Sequence, residues 1–200
     1  MLIDDFMPVY DFSEKHETVV RASAENIFGV IDTVDFSESF VIRWLLRLRG
    51  MSGEEVSLRS MKRSKFKILA ERQNEEILIG LAGQFWKPGG NMQDVDAGNF
   101  SEFDRPGFAK ATWNFAIRKE RGVEIPETLA TPETSGNTGT QKPVLTHLTT
   151  ETRIRCTDET SRSRFRFYWT FIRPFSAWIR NEMLFVVKEK AENPPNKDKS

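Results

Sequence analysis

Residues 160–192, near the end of the chain, constrain the fold more than any other segment. Large apolar side chains recur there in steps of three and four, a spacing that places them along one stripe of an α-helix. The stripe consists of Phe165, Tyr168, Trp169, Ile172, Phe175, Ile179, Met183, Val186 and Val187. Pro174 lies inside the pattern and predicts a kink within one continuous helix. A helix of about thirty residues is ~45 Å long, and its aromatic face needs a curved apolar surface to pack against.

The upstream segments that suit this role are typical of β-strands, because they are rich in β-branched and aromatic residues and are bounded by turn residues. The predicted strands cover residues 16–21, 66–72, 76–86, 100–103, 108–118 and 144–158, with hairpin turns at 73–75 and 104–107. Between the first two strands, Ser23 is a typical N-cap for a short helix, and residues 37–49 predict a second helix that ends at Gly50. Residues 51–65 carry no pattern that assigns a structure.

Alternating residue types assign faces to the last two strands. In residues 108–118, one face carries Trp113 and Phe115 and is expected to be buried, while the opposite face is expected to be wet. The inward-facing residues of the last strand are predicted to be Leu148, Thr150, Thr152, Ile154 and Cys156. Its outward-facing residues are predicted to be His147, Thr149, Glu151, Arg153 and Arg155.

Two interpretations stay open for the polar residues of the last strand. The hydroxyls of Thr150 and Thr152 either orient a ligand carbonyl or a water molecule, or bond locally as in ordinary strands; local bonding is favoured. Glu151 and Arg153 are expected to belong to an exposed ladder of charges. In a reversed register these two residues would point inward, and a buried carboxylate beside a guanidinium would be a candidate site.

The charge balance and the cysteine content restrict the class of protein. Lys and Arg together number 29, as do Asp and Glu, so the chain offers no net electrostatic attraction for nucleic acid or acidic lipid. Cys156 is the only cysteine, which rules out an intrachain disulfide and fits a reducing compartment. The sequence has no uncharged apolar run of about eighteen residues and no signal-peptide pattern at its start. We therefore expect a soluble cytoplasmic protein without stable membrane insertion.

The strand and helix patterns predict one domain over residues 16–192. Residues 1–15 are expected to form an extended lead-in, and residues 193–200 a disordered tail. Residues 119–143 are dense in Thr, Pro, Gly, Glu and Ser, and predict a flexible insertion ahead of the last strand.

The order of these elements resembles that of the START-like superfamily, also called SRPBCC. The stretches TETRIRCTD (150–158) and RFYWTFIRPFSAWIRNEML (166–184) resemble a bacterial subgroup of it. The resemblance implies an α+β helix-grip fold, in which a curved antiparallel sheet wraps around the long C-terminal helix and two short helices follow the first strand. It also implies a cavity between sheet and helix. The superfamily has no universal active-site motif, so the resemblance transfers no catalytic residue.

Such a cavity would be lined by aromatic side chains, which give contact area at little entropic cost. The predicted ligand-binding residues are Phe66, Phe85, Trp113, Phe115, Thr150, Thr152, Tyr168, Trp169 and Ile172. An equally weighted alternative is that the aromatic side chains simply fill the space between sheet and helix, because protein cores are close-packed.

We therefore favour binding of a hydrophobic or amphipathic small molecule, for transport or sensing, with no cofactor, metal or nucleic acid. One alternative is an enzyme of the cyclase, aromatase or hydrolase kind that uses the same cavity; another is a protein-interaction domain with a filled core. The lack of paired carboxylates, or of a histidine placed on the inward face, counts against the enzyme. His16 and His147 lie on different predicted strands without metal-ligand spacing. The oligomeric state does not follow from the sequence.

Overall fold

The computed structural model describes residues 1–40, 42–43, 57, 66–119 and 144–194. In chain order the elements are α1 (Leu2–Phe6), β1 (Phe12–Val20), α2 (Ala24–Thr33), a 3₁₀ turn (Phe36–Glu38), β2 (Lys67–Arg72), β3 (Glu76–Gly83), β4 (Ala109–Lys119), β5 (Thr146–Cys156) and α3 (Glu159–Glu192). Within the described residues the strands form one antiparallel sheet of five, in the order β1-β5-β4-β3-β2. α3 packs over β1 and β5, and α2 lies beside α3 over β4. The predicted α+β architecture, a curved sheet holding a long C-terminal helix, is confirmed.

α3 is one helix of 34 residues that continues through Pro174, as predicted. Phe165, Met183 and Val187 on its predicted apolar stripe are fully buried. The rest of that stripe is half-buried, as expected for a helix lying on the sheet near its β1 edge. No helix in the described part of the chain is both long enough and apolar enough to cross a membrane.

The ends of several strands differ from the predictions. The predicted extended lead-in over residues 1–15 is wrong, because Leu2–Phe6 is helical and β1 begins at Phe12, earlier than expected. β3 ends at Gly83, because the chain turns back there and Gln84 N donates to Gly90 O at 2.6 Å. The predicted strand over residues 100–103 is wrong: Phe103 N donates to Asn99 O in a turn, and β4 pairs with β3 and β5 instead.

Several predicted segments lie partly or wholly outside the described residues. The predicted helix over 37–49 is described only in part. The 3₁₀ turn (Phe36–Glu38) overlaps its start, and residues 40 and 42–43 are helical. The predicted insertion over 119–143 lies outside them except for Lys119, which ends β4. Of the predicted tail over residues 193–200, the structure describes residues 193 and 194.

The second face of the sheet is covered, so the prediction that it is wet is wrong. Lys110, Thr112 and Asn114 of β4 are buried there. The residues that cover or line this face are Leu2, Ile3, Met7, Leu69, Leu78, Ala82, Val95 and Phe100. Alternation in β4 identifies its more polar face, but a polar face can still be buried when other segments supply hydrogen-bond partners. The ammonium of Lys110, for example, donates to the carbonyls of Phe100 and Ser101 at 3.0 and 2.7 Å.

Charged hydrogen bonds fix α1 to this second face. The carboxylate of Glu76 accepts from Leu2 N at 2.7 Å, from Ile3 N at 3.3 Å and from Asn114 Nδ2 at 2.6 Å. The bonds of Leu2 and Ile3 use backbone N–H groups that have no partner inside a short helix. Residues from the start of the chain are thereby joined to the middle of the sheet.

Glu151 and Arg153 lie on the outward face as predicted, but the expected exposure of this charge ladder is wrong at both residues. Arg153 is only 8% exposed. Its guanidinium donates to Glu151 Oε1 at 2.6 Å, to Asp4 Oδ1 at 2.8 Å and to Met7 O at 3.0 Å. The guanidinium of Arg153 finds all three acceptors within the chain. The ion pair of Glu151 and Arg153 therefore acts as a structural link between β5 and the α1 segment.

Replacing Arg153 by Met should lower the free energy of unfolding by roughly 3–5 kcal/mol, because it leaves the mostly buried carboxylate of Glu151 without its cation. Arg155, on the same strand and the same face, is exposed and serves as the matched control. Arg155→Met should change the stability by no more than about 0.5 kcal/mol. Urea denaturation measures both values, and equal effects would contradict the role given to Arg153.

The start of α3 generates a pH-dependent prediction. Asp158 accepts hydrogen bonds from the backbone N–H groups of Ser161 and Gly107, and these bonds lower its pKa. A pKa lowered by folding adds stability that is present above the unfolded-state value of about 4 and is lost as the pH falls through the folded-state value. Asp158→Ala should therefore cost about 1–2 kcal/mol near pH 7.

The difference between wild type and Asp158→Ala should shrink at about pH 3, below the unfolded-state pKa of about 4, because the unfolded chain then binds a proton more readily than the folded carboxyl does. Asp158→Asn keeps a capping side chain and should lose less than Asp158→Ala near neutral pH. Urea denaturation at the two pH values measures the effect. A stability loss in Asp158→Ala that is equal at both pH values would show that the charge of Asp158 does not contribute to stability.

Candidate functional site

The face of the sheet that packs against α3 carries an unexpected row of polar side chains. The antiparallel register places Glu14 of β1 opposite Thr152 of β5, and His16 opposite Thr150. Thr152 is in turn opposite Trp113 of β4. Directly opposed side chains in such a sheet have their Cβ atoms about 4.5–5.5 Å apart. These five residues are therefore neighbours, and we refer to them as the polar cluster.

Every member of the polar cluster has a buried polar atom without a hydrogen-bond partner among the described residues. The atoms are Glu14 Oε2, His16 Nε2, Trp113 Nε1, Thr150 Oγ1 and Thr152 Oγ1. A buried polar group left in this state costs about 1–3 kcal/mol, and folded proteins contain few of them. A molecule that bound here would supply hydrogen bonds that these atoms do not receive from residues 1–40, 42–43, 57, 66–119 and 144–194.

Glu14 is the charged centre of the polar cluster. Its side chain is only 7% exposed, and its Oε1 lies 3.7 Å from His16 Nε2, too far for a hydrogen bond. Nε of Arg173, on α3, lies 3.8 Å from the same oxygen. The side chain of Arg173 is 65% exposed, so the polar cluster approaches solvent on the side of Arg173. The guanidinium of Arg173 and the imidazole of His16 thus both lie near the carboxylate.

One aromatic ring and one guanidinium contact Trp113. The ring of Phe66 meets the indole edge-on, with 5.5 Å between the ring centroids. The guanidinium of Arg180 lies over the indole, 4.7 Å from the ring centroid. These contacts fix the plane of the indole ring, which is the geometry that an aromatic binding wall requires.

A second aromatic group lies nearer the start of α3 and is centred on Phe165. Phe12 and Phe85 approach its ring from the sheet side, with centroid distances of 5.1 and 6.2 Å. Tyr168 and Trp169 approach it along the helix, at 5.7 and 5.6 Å. This group is an apolar continuation of the layer between sheet and helix.

The predicted site residues separate into distinct places. Trp113, Thr150 and Thr152 belong to the polar cluster. Phe115 stacks on Phe36 at 6.0 Å and is fully buried, which accounts for it as core packing beside the 3₁₀ turn. Ile172 is half-buried on α3. The remaining predicted residues are the aromatic neighbours of Trp113 and Phe165 described above, namely Phe66, Phe85, Tyr168 and Trp169.

The favoured interpretation of Thr150 and Thr152, local bonding of their hydroxyls, is wrong. Neither hydroxyl has a partner among the described residues. Thr146, on the same strand and the same face, shows the alternative, because its hydroxyl donates to Ala22 O at 2.7 Å. The difference arises because a loop carbonyl lies within reach of Thr146, whereas the polar cluster faces α3.

Sequence reasoning missed Glu14 and His16. The sequence predicted a first strand that begins at His16 and no histidine on the inward face, and both expectations are wrong. The available signal was the even spacing of Phe12, Glu14, His16 and Val20, which puts all of them on one face. Polar residues occupy both faces of β1, so no alternation of polar and apolar residues distinguishes its two faces.

An open groove of about 400 Å³ lies between β1 and the last turns of α3. Its volume suits a small molecule, but it contains none of the predicted ligand-binding residues. Its walls combine the carboxylates of Glu17, Glu189 and Glu192 with the apolar side chains of Leu184 and Phe185. In the described part of the chain, no three His, Cys, Asp or Glu side chains come together as a metal site would require.

No protein-family model, curated protein or solved structure matches the chain. The relationship to the START-like superfamily thus stays a prediction.

The state of the Thr152 hydroxyl can be tested with an isosteric pair of variants. Thr152→Val removes an unpartnered buried hydroxyl and should leave the free energy of unfolding of the ligand-free protein unchanged or raise it by about 1 kcal/mol. Thr146→Val removes a bonded hydroxyl and should lower it by about 1 kcal/mol. Urea denaturation of refolded protein measures both. A loss in Thr152→Val as large as that in Thr146→Val would show that the Thr152 hydroxyl is bonded.

Proposed function

We propose that the chain binds a small, neutral, amphipathic molecule between the sheet and α3, with the polar end of the molecule at the polar cluster. The observation that carries this proposal is one contiguous patch of five buried polar atoms that have no partner in the part of the chain that the structure describes. Small-molecule sites are typically apolar pockets in which a few polar groups converge. The polar cluster, with its aromatic borders, has this composition.

The hydrogen-bonding capacity of the polar cluster limits the polar end of the ligand. Trp113 Nε1 can only donate, and an ionised Glu14 Oε2 can only accept. The hydroxyls of Thr150 and Thr152 can do either, as can the neutral imidazole of His16, depending on its tautomer. A complementary ligand therefore carries at least one acceptor and one donor close together, as a hydroxyl beside a carbonyl does.

The ligand is expected to be neutral because the charge of Glu14 already faces a cationic group. Nε of Arg173 lies 3.8 Å from its Oε1. A ligand anion would compete with Glu14 for Arg173, and a ligand cation would leave Arg173 without its counter-charge. A neutral polar end avoids both costs.

The apolar part of the ligand would contact the aromatic residues next to the polar cluster. Trp113 offers a ring whose plane is fixed by Phe66 and Arg180. Flat or lipid-like molecules suit such walls. The same arrangement supports a place in the START-like superfamily, whose members are expected to hold a ligand between sheet and helix.

A second candidate function, proton-transfer catalysis on the bound molecule, is favoured by the adjacency of His16 and Glu14. A histidine beside a carboxylate in a largely buried site is a typical general acid–base pair. His16→Gln should then keep ligand binding but abolish conversion, which mass spectrometry of the molecule recovered from each protein would detect. Recovery of the molecule chemically unchanged after incubation with wild type would leave binding as the function.

The binding proposal is tested with 3-hydroxyflavone, a neutral flat molecule with a hydroxyl beside a carbonyl and a fluorescence that responds to its environment. Wild type should bind it saturably. The double variant Thr150→Val/Thr152→Val should bind about tenfold more weakly, because two hydrogen-bonding groups are lost. Thr146→Val, whose hydroxyl already has a partner, is the matched control and should bind like wild type.

Two further measurements make the test decisive. Flavone, which lacks the hydroxyl donor, should bind wild type more weakly than 3-hydroxyflavone does. Native mass spectrometry of freshly purified protein should detect a bound small molecule that is depleted in the double variant. Absence of saturable binding together with the mass of the bare chain would refute the proposal and favour a filled core with an interaction role.

A further inference from the structure

α3 carries a second aromatic stripe on the side turned away from the sheet. Phe167, Phe171 and Trp178 are 72%, 59% and 48% exposed. Their steps of four and seven keep them on one side of the helix, opposite the buried residues Phe165 and Met183. The rings of Phe167 and Phe171 contact each other, with 5.1 Å between their centroids. Single exposed apolar residues are normal, but aligned aromatic neighbours mark an interaction surface.

The same part of α3 is strongly basic, although the chain as a whole is neutral. Residues 160–181 contain no Asp or Glu, and their five arginines are Arg162, Arg164, Arg166, Arg173 and Arg180. Arg162 is paired within the chain, at 2.7 Å from Asp11 and 2.6 Å from Glu159. Arg164 and Arg166 are exposed and form no ion pair with the described residues. This segment therefore offers positive charge that the described residues leave unpaired, beside exposed aromatic rings.

We propose that this outward face of α3, defined by Arg164, Arg166, Phe167 and Phe171, docks on the surface of an anionic lipid bilayer. The two phenylalanine rings would enter the boundary between headgroups and acyl chains, and the arginines would pair with lipid phosphates. Long arginine side chains can reach the headgroups from the flanks of such a face. The helix would lie in the plane of the interface. The proposal does not depend on the ligand proposed for the polar cluster.

Charge favours a lipid surface over a second copy of the chain. A symmetric dimer through this face would bring Arg164 and Arg166 of one copy against the same residues of the other, and like charges in an interface oppose association. An anionic surface instead supplies the missing counter-charge, and each basic residue near it strengthens binding.

Phe185 marks the end of the docking face and supplies a matched control. It continues the aromatic stripe and is 57% exposed, almost as much as Phe171. Glu182 and Glu189 lie about one turn away along the helix on either side of it, so this end of the stripe carries acidic residues. An anionic surface repels these carboxylates, so Phe185 should contribute little to docking.

Co-sedimentation of the full chain with vesicles tests the proposal. Wild type should bind vesicles of phosphatidylcholine with 30% phosphatidylserine, bind pure phosphatidylcholine weakly, and be released as the salt concentration rises. Phe167→Ser/Phe171→Ser should lower the partition coefficient by about tenfold or more. Arg164→Gln/Arg166→Gln should lower it by about fivefold for each charge. Phe185→Ser should bind like wild type, and unchanged circular dichroism would confirm that every variant is folded.

Three outcomes would overturn the proposal. The first is no binding to the anionic vesicles. The second is equal binding to both kinds of vesicle with no effect of the arginine substitutions. The third is a concentration-dependent dimer in analytical ultracentrifugation that Phe167→Ser/Phe171→Ser abolishes, which would assign the face to a second copy of the chain.

Discussion

Burial of the sheet on both faces is the constraint on which the rest of this structure depends. α3 covers one face, and α1 with the loop around Phe100 covers the other. Polar side chains on the central strands are consequently removed from water whichever way they point, and each needs a partner inside the protein. On the second face, Glu76 and Arg153 meet this requirement through hydrogen bonds to the first residues of the chain.

The face beneath α3 departs from this rule. Thr150, Thr152 and their neighbours Glu14 and His16 have buried polar atoms that the described residues leave unpaired. The fold does not impose this arrangement, because Thr146 on the same strand is fully bonded. Valine at Thr150 and Thr152 would suit an apolar core and have a higher strand preference. Places where a sequence breaks its own packing rules are where function is expected.

α3 joins the two proposals because its opposite sides present different chemistry. Its inner side, around Phe165, belongs to the core. Its outer side, around Phe171, combines aromatic rings with arginines that form no ion pair with the described residues. The net charge of the chain conceals this segregation, since positive charge collects in residues 160–181 and is balanced by carboxylates elsewhere. Overall neutrality therefore argues only against a uniformly basic protein, and leaves room for a local basic surface.

The sequence by itself determined the fold class and the faces of α3, β4 and β5, because helical and strand periodicities are local properties that a short stretch displays completely. The tertiary structure alone decided what covers each face. The contacts of Glu76 with Leu2 and of Arg153 with Asp4 join residues far apart in the chain, and no local pattern encodes them. The inward direction of His16 likewise became visible only through the pairing of β1 with β5. Burial, and with it the chemistry of a polar side chain, is a property of the assembled layers and not of the strand that carries it.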